Sequence, residues 1–336
     1  MHGTYRVALT TSLRSGGRSG GRGEEISGSV IAGWLDPEQA LFTVQRQLDL
    51  PESPHLAGRR SLRGIAPFAD GVAVCNTSQL FLLDNELRAI TGCFSDRRFG
   101  DIHSIASHGG ELFVTATASD CVIGINACLQ KTFAWWAGSD PLLAPYMREW
   151  QRSRVAADHD FRYDASPGAR FHMNHVCFDG AGDMLVNLPG MTYQVGESRV
   201  YNVSRKQFEF AGHPIEAAVR GRVHDGVALG KHYFLCRTAS GEFVKLKRAT
   251  GAQVAAVDCS TPLRYTTGDP LSLSHGWLRG AVHLHDELFL VGQACLQLFL
   301  VDTAAGTKRA VHIHGAKGEF DDPGLAIYCI AKLPSQ

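Results

Sequence analysis

The stretch Asp101-Ile-His-Ser-Ile-Ala-Ser-His-Gly-Gly-Glu-Leu-Phe-Val-Thr-Ala-Thr-Ala-Ser-Asp-Cys-Val-Ile-Gly-Ile-Asn-Ala-Cys-Leu-Gln-Lys-Thr-Phe-Ala-Trp-Trp136 contains four short β-rich runs. They are Ser104–Ala106, Glu111–Ala116, Cys121–Asn126 and Lys131–Trp136, with Gly, Asp or Ser turns between them. Four such runs in under 40 residues form one small antiparallel unit.

The unit recurs. Arg63-Gly-Ile-Ala-Pro-Phe, His103-Ser-Ile-Ala-Ser-His, His175-Val-Cys-Phe-Asp, His224-Asp-Gly-Val-Ala-Leu, Arg279-Gly-Ala-Val-His-Leu and Pro323-Gly-Leu-Ala-Ile-Tyr share a pattern. In the first five, Ala73, Phe113, Leu185, Phe234 or Phe289 follows ten residues later, inside a second apolar run. The leading positions are separated by 40, 72, 49, 55 and 44 residues. A period of about 40–50 residues with four strands per unit is the signature of propeller blades. The interval of 72 contains one insertion, at about 137–170, rich in Tyr and Trp and suited to cover a pocket; Leu142–Arg152 is its helical stretch. After Pro323 only Leu325–Ala331 remains, while Tyr5–Thr10, Gly28–Trp34 and Leu41–Leu48 precede the first unit. The expected fold is therefore an all-β, six-bladed β-propeller spanning 1–336 as a single domain. Its last blade is closed by the N-terminal strands and the C-terminal strand.

Composition narrows the function. Lys and Arg number 33 against 33 Asp and Glu, so no charge excess favours nucleic acid or an anionic membrane. Hydrophobic residues at 44% and charged residues at 20% are ordinary for a globular chain, whereas 36 glycines in 336 residues exceed the usual 7% or so and point to many turns. No apolar run approaches a membrane span, and Met1-His-Gly-Thr-Tyr-Arg6 lacks the pattern of a signal peptide. Nine scattered cysteines without a C-x-x-C pair read as reduced strand residues, which leads us to expect a cytoplasmic protein.

Equivalent positions on innermost strands ring a propeller axis. Here the ring reads Arg63, His103, His175, His224, Arg279, Pro323. If the side chains point inward, His103, His175 and His224 converge and suit a divalent transition metal (Fe, Mn, Ni, Cu or Zn) with open positions. Arg63 and Arg279 suit bidentate binding of a small anionic substrate, a carboxylate or phosphate. Asp101, Asp225, His172 and His275 lie beside the ring as candidates for proton transfer or for orienting ligands.

The blade signatures resemble those of an uncharacterised bacterial propeller family, whose blades read Asp-Ile-His, His-Leu-Asn, Pro-His-Ser and Thr-Arg-Gly-Leu. The matching stretches are Asp101-Ile102-His103, His172-Met173-Asn174, Val223-His224-Asp225 and Leu278-Arg279-Gly280, with Val223 and Asp225 departing from the pattern. The resemblance supports the fold and brings forward His172 and Asn174, the latter as a substrate contact, where the ungapped count brings forward His175. A more distant likeness is to the gluconolactonase group of metal-binding propellers.

Other features rank lower. The segment Ser12–Gly23 lacks the Gly-Lys-Ser/Thr ending of a phosphate-binding loop and reads as a surface connection. His283, His285, His312 and His314 alternate at strand spacing and read as exposed strand faces, and Trp135–Trp136 as outer-strand packing. Three functions follow from the ring. The first is a metal-dependent lyase, hydrolase or oxygenase of small-molecule or natural-product metabolism. The others are a metal-free anion-binding lyase or isomerase, and a non-catalytic binding or scaffold module.

Overall fold

In a strand, successive side chains point to opposite faces, so a strand apolar on both faces needs a neighbour on each side. Glu111-Leu-Phe-Val-Thr-Ala116 is such a strand. In the computed structural model Leu112, Val114 and Ala116 pack with Phe68, Ala73 and Leu80 of the preceding unit. Phe113 points the other way, to Val176, Val186 and Tyr201 of the following one. The structure describes residues 3–13, 26–55, 61–164, 171–189, 198–209, 223–238, 240–260, 278–293, 296–315 and 325–334.

The chain opens with β1 (Tyr5–Leu13), β2 (Ile26–Asp36) and β3 (Leu41–Pro51). The first blade is β4 (Ile65–Phe68), β5 (Gly71–Cys75), β6 (Leu80–Asp84) and β7 (Ile90–Phe94). The second is β8 (Ile102–His108), β9 (Glu111–Ala116), β10 (Cys121–Ile125) and β11 (Lys131–Trp136). Next come β12 (His175–Phe178), β13 (Met184–Leu188), β14 (Arg199–Asn202) and β15 (Gln207–Phe208). The fourth blade is β16 (Val223–Leu229), β17 (His232–Arg237), β18 (Glu242–Lys247) and β19 (Gln253–Asp258). The fifth is β20 (Leu278–His285), β21 (Leu288–Gln293), β22 (Gln297–Asp302) and β23 (Thr307–His314), and β24 (Leu325–Lys332) follows.

β24 pairs with β1, β1 with β2 and β2 with β3, so the sixth blade joins both ends of the chain, as the sequence predicts. The inner strands β4, β8, β12, β16, β20 and β24 meet in sequence, and β24 returns to β4. An unexpected pairing ties the last two blades: β23 runs parallel to β3, with His312 opposite Leu41 and His314 opposite Thr43. Arg309 reinforces it by donating to the carbonyls of Pro37 and Glu38.

The core is divided among the blade interfaces. Six apolar clusters lie one between each pair of neighbours: Phe234 and Phe243 meet Phe289 and Phe299, for example, and Ala8 and Val30 meet Val72 and Phe81. Each buried Phe or Leu contributes roughly 1.5–3 kcal/mol, so the ring is held by face-to-face burial. The outermost strands are more exposed, as in β7 and β19.

The insertion leaves the second blade through 3-10 turns at Ala137–Ser139 and Ala144–Tyr146 and then forms α1 (Glu149–Ala156). The helix starts later than the expected Leu142–Arg152, because Pro145 sits in the second 3-10 turn. Trp135 stacks on Tyr201 with ring centres 5.9 Å apart. Cys75, Cys121, Cys236 and Cys259 are buried free thiols; burial pushes Cys75 and Cys121 up to about 12. No helix among the described residues is long and apolar enough to cross a membrane.

Candidate functional site

Four inner strands carry a bulge at the same end of the ring. Ile102 pairs with Ala116 and Ser104 with Thr115, which leaves His103 without a cross-strand partner residue. Cys329 pairs with Thr10 and Ile327 with Thr11, which leaves Tyr328 in the same position. β16 bulges after His224 and β20 at Gly280, after Arg279. A bulge adds one residue, bends the strand and re-aims a side chain, and bulges gather at functional sites. Threonines on the second strands take up the freed backbone groups: Thr115 Oγ1 bonds both N and O of Ser104, and Thr10 Oγ1 bonds Arg63 O and Cys329 N.

The backbone is also strained there. Asp101, His172 and Asp225 have φ of 49°, 51° and 56°. Such left-handed conformations cost ~1 kcal/mol or more for a residue with a side chain and persist where the surroundings enforce them.

The side chains so aimed form one cluster. Arg63 donates to the Tyr328 hydroxyl and pairs with Asp101 at 3.3 Å, and its Nη1 is 3.3 Å from His103 Nε2. The guanidiniums of Arg63 and Arg279 lie 4.6 and 4.2 Å from the centre of the Tyr328 ring. The rings of His103 and His224 are nearly parallel, 13° apart with centres separated by 6.2 Å, and His172 meets His103 edge-on at 5.0 Å. His103 and His224 are buried, while His172, Arg63 and Tyr328 are partly open.

Hydrogen-bond partners fix the proton positions. His103 Nδ1 faces the carbonyl of Asp101 at 2.8 Å, an obligatory acceptor, and Thr117 Oγ1 at 2.9 Å. Its proton is therefore on Nδ1, and the Nε2 lone pair points toward Arg63 and the axis. His224 is held differently. Asn174 Nδ2 donates to Val223 O at 2.7 Å and approaches His224 Nδ1 at 3.0 Å, while Arg279 Nη2 is 3.0 Å from His224 Nε2. A neutral imidazole accepts at one nitrogen only, so one of these two donors meets an N–H. Asn174 is anchored by Val223, and Arg279 is the partner that a ligand oxygen would relieve.

Both rings are kept neutral. Burial, with Arg63, His172 and Arg279 added, holds His103 well below the usual imidazole range, and only Asp101 opposes this. Burial followed by Arg279 does the same to His224. Burial also lowers the Arg279 guanidinium and raises the Asp225 carboxyl.

Of the residues expected from sequence, Arg63, Asp101, His103, His172, Asn174, His224 and Arg279 come together. His175 does not. Its Nε2 donates to Gly226 O at 2.8 Å and its Nδ1 accepts from Ser104 Oγ at 3.2 Å, so the ring links β8, β12 and β16. Asp225 accepts from Gly280 N at 2.8 Å and faces His175 at 4.0 Å. His275 and Pro323 lie outside the described residues, as do 14–25 of the Gly-rich segment and 165–170 of the insertion. The sixth blade contributes Tyr328, which the repeat did not single out. Its signal is a lone polar-tipped aromatic in the apolar run Leu325-Ala-Ile-Tyr-Cys-Ile330.

The expected metal set of His103, His175 and His224 is not assembled, because both His175 nitrogens are engaged elsewhere. Among the described residues no group of three His, Cys, Asp or Glu side chains is placed to hold a metal ion. The guanidiniums of Arg63 and Arg279 stand beside the imidazoles of His103 and His224. His283 donates to Asp286 O at 2.9 Å, and His285 pairs with the Tyr5 hydroxyl at 2.6 Å.

No protein-family model matches the sequence, and no curated protein matches it. Solved structures share the fold. A protein of unknown function from Bacteroides caccae is 10% identical with a TM-score of 0.55, over 98% of this chain and 100% of that chain. A chain of the nidogen–laminin complex is 11% identical with a TM-score of 0.52, over 99% of this chain and 100% of that one. The Swd1 β-propeller domain of Myceliophteria thermophila is 10% identical with a TM-score of 0.45, over 91% and 89%. At these identities the likeness concerns the fold alone; the closed ring of four-stranded sheets described above is itself that of a β-propeller.

Proposed function

We propose that the protein is an enzyme, a lyase or isomerase, that moves a proton on a small anionic molecule at the propeller axis. One observation carries this reading: two stacked neutral imidazoles, His103 and His224, lie between two guanidiniums, the buried Arg279 and the partly open Arg63. His103 presents an unprotonated Nε2, faced by Arg63 Nη1 at 3.3 Å, and is the general base once Arg63 turns to the substrate. The proton it takes makes an imidazolium, whose charge Asp101 offsets from 4.0 Å.

Charge left on the substrate falls on its oxygens, where Arg63 and Arg279 receive it through paired hydrogen bonds. When Arg279 turns to the substrate, Asn174 keeps His224 Nδ1 as an acceptor and the His224 proton stands on Nε2. His224 then acts as a neutral hydrogen-bond donor to the developing oxyanion. A carboxylic acid with an acidic neighbouring C–H suits this arrangement.

The test is carbon–hydrogen exchange. Small 2-hydroxy and 2-oxo acids are incubated with the protein in deuterium oxide and their C–H signals followed by NMR. Loss of signal with the protein and not with His103→Gln supports the reading. Binding of one equivalent of a transition metal that is lost in a His103→Ala/His224→Ala double variant overturns it in favour of metal chemistry.

A further inference from the structure

The insertion and the candidate site share one carboxylate. Asp120 lies in the turn between β9 and β10, is fully buried and has φ of 50°. Its Oδ2 accepts from Phe171 N at 3.1 Å and its Oδ1 from Met173 N at 3.3 Å, the two amides on either side of His172. The same Oδ2 accepts from Gln151 Nε2 at 2.9 Å. Gln151 is the buried residue of α1, a helix with no apolar face of its own. Ala137 N, where the insertion begins, donates to Asp120 O at 3.1 Å.

The same turn reaches His103. Thr117 Oγ1 accepts from His103 Nδ1 and donates to Met173 O at 2.5 Å. Gly100, next to Asp101, passes so close to the insertion that a Cβ there would lie 2.4 Å from Phe161 O. A buried carboxylate is held by the N–H donors it takes, and loss of one of them leaves an oxygen less well satisfied.

We infer that Asp120 is a positioning residue for the axial site: it holds the His172 imidazole against His103 and makes the docking of α1 a condition of that placement. The inference rests on the proposed function only for what the site is used for. Asp120→Asn replaces one acceptor oxygen by an N–H donor and sets it against an amide of Phe171 or Met173. Gln151→Leu keeps the bulk and removes one donor. Thr117→Ser keeps the hydroxyl, whereas Thr117→Val removes it.

The experiment uses the full chain with oxalate and sulfate as probes, neither of which carries a titrating proton near neutrality. Calorimetry gives the anion affinity, and imidazole ¹⁵N–¹H NMR gives the ring environments. Asp120→Asn and Gln151→Leu should weaken oxalate about tenfold or more, the range for groups that orient a site through its ligands. Both should shift the His172 ring signals. Thr117→Val should shift His103, and Thr117→Ser should restore it.

If Asp120→Asn does not fold, Gln151→Leu and the Thr117 pair decide. Variants that lower the melting temperature but leave the His172 and His103 signals and the oxalate affinity unchanged overturn the inference. If the unaltered protein binds neither oxalate nor sulfate, the anion reading fails, and the ring signals alone still decide the role of Asp120.

Discussion

The guanidinium of Arg279 rests 4.2 Å from the centre of the Tyr328 ring, so an arginine of the fifth blade is braced by β24 of the sixth. Arg63 of the first blade uses the same ring at 4.6 Å and bonds its hydroxyl. Tyr328 is thus a platform between two like charges. Truncating it to Ala removes two cation–π contacts of roughly 0.5–2 kcal/mol each and should weaken oxalate binding about tenfold or more. Phe at this position keeps the ring and should lose less. Calorimetric titration of both variants checks this, and equal losses would show that the hydroxyl, not the ring, matters.

Lysine cannot copy the planar fork of a guanidinium. Arg279→Lys should therefore weaken oxalate by one to two orders of magnitude, the equivalent of a charged hydrogen bond of about 1.5–3 kcal/mol. The fold should survive, since Lys preserves the charge. Circular dichroism alongside the titration separates the two effects.

Stability should fall on mild acidification. His103 and His224 are buried and His175 is half-buried, all three with lowered proton affinity. The unfolded chain binds protons from about pH 6.5 downward, before the folded state does. Stability is therefore full above that value and is lost as the pH falls toward the lower folded-state values, at up to ~1.4 kcal/mol per pH unit for each ring. Urea titrations between about pH 7.5 and 5 measure the slope. A His103→Gln/His224→Gln double variant should flatten it; an unchanged slope would place the linkage elsewhere.

His175 and His103 should respond in opposite ways. Removing His175 leaves Gly226 O and Ser104 Oγ without their shared partner and should cost about 1–3 kcal/mol of stability, with little change in anion affinity. His103→Gln should spare stability at neutral pH and abolish proton exchange on a substrate. Denaturant midpoints and the deuterium assay distinguish them.

Much of the fold was legible because blade strands are short, apolar on both faces and evenly spaced. Glu111–Ala116 and Lys131–Trp136 begin and end where the turn residues predict. Arg63, His103, His224 and Arg279 were legible because they lead the repeat. His175 misleads because an ungapped count assumes equal strands. Four inner strands carry a bulge, which shifts which residue faces the axis, whereas β12 pairs without one and the segment just before it brings His172 and Asn174 to the cluster. The bulges are invisible in the apolar pattern. Thr10 and Thr115, polar residues inside apolar strands, are their trace in the sequence.

The pairing of β24 with β1 also sets an order of events. Tyr328 lies on β24, whose neighbour in the sheet is β1: Cys329 N bonds Thr10 Oγ1 across 319 positions of sequence. Blades built from neighbouring segments can collapse on one another early, yet Arg63 and Arg279 lack their common brace until β24 docks on β1. Such a long-range contact is slow to form. Anion affinity should therefore be the last property a refolding chain acquires, later than its β-sheet signal.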